Sequence, residues 1–143
     1  PAIGLVIALN EAIKMMKAEG LEKIFAWHHT MAGAVRAGVK ALGLGLFAPE
    51  AYSDVVTAVN VPAGIDGEKL VKTMRDTYGV TIAGGQSEMK GKIFRFAHMG
   101  YIGEFDIIAG LSCLEKVLAQ MGYKFQMGAG VAAAQKVFLN PNS

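Results

Sequence analysis

Apolar and polar positions follow two different rhythms along this chain. Over residues 2–17, Ile3, Val6, Ile7, Ile13 and Met16 recur near helical spacing, and Leu5 and Leu9 fill the other side of the first turns. A helix that is apolar nearly all round is one buried from several directions. Pro1 suits its first position, where the missing N–H is not needed. Gly20 breaks the run, and a second helix is predicted to about Ala41. Its stripe is Leu21, Phe25, His28, Ala32, Val35, Val39 and Leu42, and Gly43 and Gly45 end it.

The period then shortens. Residues 44–48 read as a short strand and residues 49–54 as a turn. Residues 55–61 alternate β-branched with small or polar side chains, which predicts a strand closed by Pro62 and Gly64. Asp66 is a good N-cap for a helix to about Tyr78, with Leu70, Val71 and Met74 turned inward. Residues 80–83 predict another strand, residues 86–91 a polar loop and residues 92–98 a further strand. Glu104 and Asp106 put negative charge in the first turn of the next helix, where the dipole favours it. That helix carries Ile107, Leu111, Leu114, Leu118 and Met121 and stops at Gly122; residues 127–139 predict a last short helix. Few strands, often adjacent in sequence, indicate an α+β domain: a small, four-stranded, mostly antiparallel sheet with helices on one face.

Composition sharpens the picture in one respect. Of 143 residues, 52% are apolar and 18% charged, which suits one domain with a real core. The mean hydropathy of +0.35 leaves either a membrane protein or a piece whose apolar surfaces belong against something else. The longest apolar run, residues 2–9, is far short of the ~20 residues that span a bilayer. It also lacks the basic start and small-residue cleavage site of a signal peptide. No membrane association is expected, and the missing-partner reading is favoured. The chain opens on Pro1 rather than Met and reads as a fragment or processed product. A net charge of +2, with both signs interleaved, offers no basic stripe for nucleic acid. The single cysteine, Cys113, rules out an internal disulfide and points to a reducing compartment, so a cytoplasmic location is expected.

Arg95 is the most informative candidate. It sits in Lys92-Ile93-Phe94-Arg95-Phe96-Ala97-His98, where period-two alternation puts Phe94 and Phe96 on one face and Ile93, Arg95 and Ala97 on the other. A guanidinium among such neighbours needs a partner, and its planar fork matches a carboxylate. The residues alone leave two readings open, an anchor for an anionic substrate and an edge-strand Arg in a surface ion pair.

Other candidates weigh less. Residues 128–133 match the dinucleotide fingerprint G-x-G-x-x-A, but too few residues follow for the rest of that unit. His28 and His29 point about 100° apart on a helix, unlike the i, i+4 pair that grips zinc, and no metal site is expected. His28 should pack with a hydrogen-bonded ring. Cys113 reads as a small core residue. No lysine sits where a Schiff base would form.

The run Gly84-Gly85-Gln86-Ser87-Glu88-Met89-Lys90-Gly91-Lys92-Ile93-Phe94-Arg95-Phe96-Ala97-His98-Met99-Gly100 resembles the C-terminal signature of class V aminotransferases. That signature has a Gly-Gly loop, then G-K, an apolar pair, an Arg and a small-residue step to H-M-G. The look is closest to the alanine–glyoxylate and serine–pyruvate group. Pro1-Ala2-Ile3, residues 21–47 with their A-L-G-L-x-L-F ending, and Asp106-Ile107 agree with it. Phe96-Ala97 departs from the Ile-Gly or Ile-Ser of many relatives, and the segment after Gly122 matches loosely.

The resemblance implies that residues 1–143 are the C-terminal small domain of a dimeric fold-type-I enzyme, with residues 1–20 starting the helix that links it to a large domain absent from this chain. Pyridoxal 5′-phosphate would be bound by that large domain and not by this one, so the chain alone would not catalyse. The whole enzyme would move an amino group from a small amino acid, such as alanine or serine, to a keto acid such as glyoxylate or pyruvate. Arg95 would bind the substrate carboxylate. A cysteine desulfurase-like lyase is the nearest rival, but it needs a nucleophilic cysteine in the loop at residues 84–91, which has none. A non-catalytic α+β binding module is the other alternative, since fold alone does not decide function.

Overall fold

The computed structural model describes residues 1–140. Its helices are α1 (Ile3–Glu19), α2 (Leu21–Ala41), α3 (Gly67–Tyr78), α4 (Glu104–Gln120) and α5 (Ala129–Leu139). Its strands are β1 (Val56–Asn60), β2 (Ala83–Gly84) and β3 (Ile93–Ala97), in the order β1-β3-β2 and antiparallel throughout. The α+β class holds, with helices gathered over one face of a small sheet.

The sheet is narrower than the four strands expected. The predicted strand at 44–48 shrinks to one bridge, Leu46 opposite Val59. Phe47 N–H donates to the Ala58 carbonyl and Asn60 N–H to that of Gly45, at 2.9 and 2.8 Å. The predicted strand at 80–83 is cut to β2 for a local reason. Gly79 ends α3 with a positive φ of 70°, and Val80 N–H donates back to the Met74 carbonyl. That left-handed helix ending uses the amide a longer strand would need.

Alternation along β3 holds from Phe94 onward, whereas Ile93, expected on the open face, is buried as well. Phe94 and Phe96 are buried, while Arg95 is half-buried and Ala97 exposed. Phe96 comes so close to α4 that a Cβ at Gly110 would collide with its ring. Around these rings pack Val35 and Val39 of α2, Leu70 and Met74 of α3, and Leu111, Leu114 and Leu118 of α4. Gly38 lets α2 approach closely, since a Cβ there would meet Leu111 and the Gly130 carbonyl. Asp66 caps α3 as expected, accepting from the Glu68 and Lys69 amides at 3.0 Å each.

The stripe expected along α2 is only half right. From Met31 onward the helix is in the core, but Leu21 and Phe25 are 51% and 60% exposed. Helix α1 has no buried residue at all. Both segments carry the apolar positions of buried helices, yet Ile3, Leu5, Val6, Ile7, Leu21 and Phe25 stay exposed. Among the described residues no helix is long and apolar enough to cross a membrane.

Helix α5 begins at Gly128, in the left-handed region at φ 84°. The buried Glu115 carboxylate of α4 accepts from the amides of Gly128, Gly130 and Val131, at 2.5, 2.9 and 3.1 Å. An anion at a helix N-terminus satisfies donors that the helix itself cannot. Glu115→Ala should therefore leave three amides without their acceptor and cost about 3 kcal/mol. Urea denaturation checks this against Glu11→Ala, which removes an exposed pair with Lys14 and should change stability by less than about 0.5 kcal/mol.

Candidate functional site

The open face of the sheet is centred on Arg95. Register places it opposite Ala58 on β1 and opposite Ala83 on β2. Its Nε and Nη2 both donate to the Gly84 carbonyl, at 3.1 and 3.0 Å. No carboxylate among the described residues stands within ion-pair distance of it. The surface ion-pair reading of Arg95 thus finds no partner among the described residues. The Gly84 carbonyl is itself held by local geometry. Gly85 N–H donates to the Ile93 carbonyl at 2.9 Å, and a Cβ at Gly85 would collide with the Met89 carbonyl of the 3-10 turn Ser87–Met89. Gly85 is thus a packing requirement of the loop before Arg95, while a Cβ at Gly84 would meet Val71 only at ordinary contact distance.

The histidines gather at another corner and bind one another's surroundings. His28 donates from Nδ1 to the Ile24 carbonyl at 2.8 Å, and its Nε2 accepts from Gly100 N–H at 3.2 Å. His98 is fully buried, donating from Nδ1 to the Asp54 carbonyl at 3.1 Å and accepting the Thr57 hydroxyl on Nε2 at 2.8 Å. These contacts fix the orientation of both rings. His29 and Arg36 meet the Asp54 carboxylate at 2.9 and 3.2 Å, and Arg36 lies 4.1 Å from the Tyr52 ring centre. Among the described residues no three His, Cys, Asp or Glu are placed to hold a metal.

Charge behaviour follows from these contacts. Burial is the largest influence on His98 and holds it below the ordinary histidine value. Partial burial opposes ionisation of Asp54, but hydrogen bonds and charge from His29 and Arg36 outweigh it and keep the carboxyl below its usual range. Cys113 is buried in the core, and burial pushes its thiol up, against thiolate formation. Every lysine is exposed. The glycine pattern at 128–133 holds Glu115, so its amides already have an anion.

Sequence reasoning missed Glu115, the His98–Thr57 pair and the Asp54 cluster. Only Glu115 had a signal, an acid one helix before a glycine-rich helix start. The partners of His98 lie on a different strand and loop.

No family profile matches the chain. Curated relatives do. It is 46% identical over 139 residues to the soluble hydrogenase small subunit of Synechococcus, covering 96% of this chain and 36% of that protein. It is 42% identical over 138 residues to the L-aspartate–glyoxylate aminotransferase of Paracoccus denitrificans, covering 95% of this chain and 35% of the other. Among solved structures, pyridoxamine–pyruvate aminotransferase of Mesorhizobium loti superposes with a TM-score of 0.93 at 34% identity, over 99% of this chain and 37% of that one. The chain is homologous to one domain of the aminotransferases. It spans about a third of the length of the curated relatives it matches. The chain presents Arg95 on the helix-free face of its sheet, with the Gly84 carbonyl of the preceding loop against its guanidinium.

Buried neutral His98 predicts a pH signature for the domain. An unfolded histidine takes up a proton near pH 6.5, the folded one only lower. The unfolded state therefore binds more protons as pH falls below about 6.5, and stability declines from there down through the folded pKa. Above that window His98 contributes no slope. His98→Gln should be less stable at about pH 8 but should lose this decline. Urea midpoints from about pH 8 to about pH 5 test it; an unchanged slope in the variant would assign the effect to another group.

Proposed function

We propose that the chain is the C-terminal small domain of a pyridoxal-phosphate-dependent aminotransferase and that Arg95 binds the carboxylate of its substrate. The observation that carries this reading is the unpaired guanidinium of Arg95, presented on the open face of a domain that matches aminotransferases along its whole length. The substrate pair is a small amino acid, such as alanine or serine, and a keto acid such as glyoxylate or pyruvate. Relatives named serine–glyoxylate aminotransferase in Arabidopsis thaliana and (S)-ureidoglycine–glyoxylate transaminase in Bacillus subtilis support the acceptor.

On this reading the cofactor is held outside this chain. Every lysine is exposed, and the buried Glu115 is committed to the amides of α5. Pyridoxal phosphate, an electron sink for amino-acid chemistry, belongs to a large domain outside residues 1–143. That domain is also the natural cover for α1 and the first half of α2, residues 1–20 being the start of the linking helix. The complete protein is a cytoplasmic homodimer on this reading. Arg95 fixes and orients the carboxylate through its planar fork on this reading.

The hydrogenase names of two cyanobacterial relatives favour a second reading. Hydrogenase iron–sulfur centres draw on several cysteine thiolates. This chain carries one cysteine, Cys113, buried in α4. Assaying the complete protein for transamination and for hydrogen evolution separates the two.

In the complete enzyme, Arg95→Ala should leave cofactor binding intact and lower kcat/KM for every amino acid by the equivalent of ~2–5 kcal/mol. Arg95→Lys should be poorly tolerated, because a point charge does not reproduce the bidentate fork. Amines lacking a carboxylate should lose little. Unchanged amino-acid turnover in Arg95→Ala would end the carboxylate role.

A further inference from the structure

Between β3 and α4 the chain passes from His98 to Gly103, and both ends of that passage are fixed. His98 N–H donates to the Val55 carbonyl at 3.1 Å and its ring is buried. Gly103 N–H donates to the Asp106 carboxylate at 2.8 Å, at the start of α4. Between these ends, residues 99–102 make no backbone–backbone hydrogen bond among the described residues. Two side chains of α2 hold them instead. Trp27 donates from Nε1 to the Ile102 carbonyl at 3.0 Å, and His28 Nε2 accepts from Gly100 N–H at 3.2 Å.

The two fastenings differ in chemistry. An indole N–H is a donor only, so the Trp27 contact is indifferent to pH. The His28 contact depends on one lone pair. The Ile24 carbonyl can only accept, so His28 Nδ1 carries the hydrogen of that 2.8 Å bond; a backbone amide can only donate, so Nε2 is bare where it faces Gly100. Protonation of the ring would set a second N–H against the Gly100 N–H. Proton uptake at Nε2 and the Gly100 contact therefore exclude each other. The backbone is shaped for this contact. Gly100 lies in the left-handed region at φ 77°, yet a Cβ there would meet nothing, so glycine serves the conformation and not the space. On either side Met99 and Tyr101 are exposed, and packing adds little to the amide's hydrogen bond.

We infer that residues 99–102 form a strap with a pH-sensitive fastening: neutral His28 holds the Gly100 end against α2, protonated His28 releases it, and Trp27 keeps the Ile102 end in place in both states. On the elements that meet there, the other charged or titratable groups are Lys23 and His29 of α2, His98 after β3, Tyr101 of the strap, and Glu104 and Asp106 of α4. None of them bonds to Nε2 of His28 or to the Gly100 amide. His29 is paired with Asp54, which Arg36 shares, and His98 with Thr57 and the Asp54 carbonyl. Histidine gains its charge as pH falls through about 8 to 5, so the strap is fastened at the upper end of that range and free at the lower. This does not depend on the role of Arg95.

The test is hydrogen–deuterium exchange of the complete protein, read on peptides covering Gly100 and expressed relative to the rate of unstructured chain at each pH. Protection at Gly100 should fall about fivefold to tenfold between about pH 8 and about pH 5.5, as expected for the loss of one hydrogen bond. His28→Gln places a carbonyl oxygen where Nε2 stands and does not titrate, so it should keep the protection at both pH values. His28→Phe fills the space without an acceptor and should lack the protection at both. Peptides of α4, which report global opening, should stay protected throughout. Equal protection of the wild type at the two pH values would overturn the inference. So would a step that persists in His28→Gln, which would belong to another group, or a parallel loss in α4, which would make the step global unfolding. If His28→Phe fails to fold, the comparison of wild type with His28→Gln decides.

Discussion

The burial of Phe94 and Phe96 on one side of a five-residue strand is the constraint on which the rest of this structure depends. Both rings are inserted among the helices, with Gly110 of α4 giving way to Phe96. Once they are placed, period two leaves no choice for Arg95, which must stand on the opposite face. A slip of one residue would bury the guanidinium and expose both rings. That would combine an uncompensated charge with the loss of two aromatic side chains from the core, so the register is held strongly. The functional group is thus positioned by the packing of its neighbours in sequence.

Two charged groups in the fold show opposite treatments of the same problem. Glu115 is buried and its oxygens are met by three amides at the start of α5, which closes an anion site with a side chain of the domain itself. Arg95 is half-buried and is met by one carbonyl on one edge. The first arrangement is complete and serves stability. The second leaves donors over, on the face where no helix packs.

Local rules made much of this legible in the sequence. The bounds of α1, α3 and α4 follow from Gly20, from the Asp66 cap and the left-handed Gly79, and from the acidic first turn at Glu104 and Asp106. Alternation alone assigned Phe94, Phe96 and Arg95 to their faces. What was not legible depends on distant partners. Leu21 and Phe25 continue the apolar stripe of α2, yet their burial requires a surface that residues 1–140 do not contain. The strands at 44–48 and 80–83 have the right composition, but their amides and carbonyls go to one bridge in the first case and to a helix ending in the second. His98 gave no sign of its burial because Thr57 and the Asp54 carbonyl come from more than forty residues away. Arg95 was legible as a candidate; its partner, a backbone carbonyl, carries no side-chain signature.

The bare first helix has a consequence for how stability is distributed. Helix α1 buries no side chain, and Gly20 joins it to α2 through a non-helical, positive-φ linkage at 92°. Opening it breaks hydrogen bonds within one 17-residue segment and uncovers apolar surface only at half-covered side chains such as Ile13 and Met16. The core, which begins at Met31, has no stake in that event. The domain is therefore two cooperative units in one chain. Amide exchange and proteolytic nicking along the first twenty residues report a local equilibrium, while those of α4 and β3 report global unfolding. Covering α1 would merge the two into a single transition, so the cooperativity of unfolding is itself a measure of whether that helix has found its place.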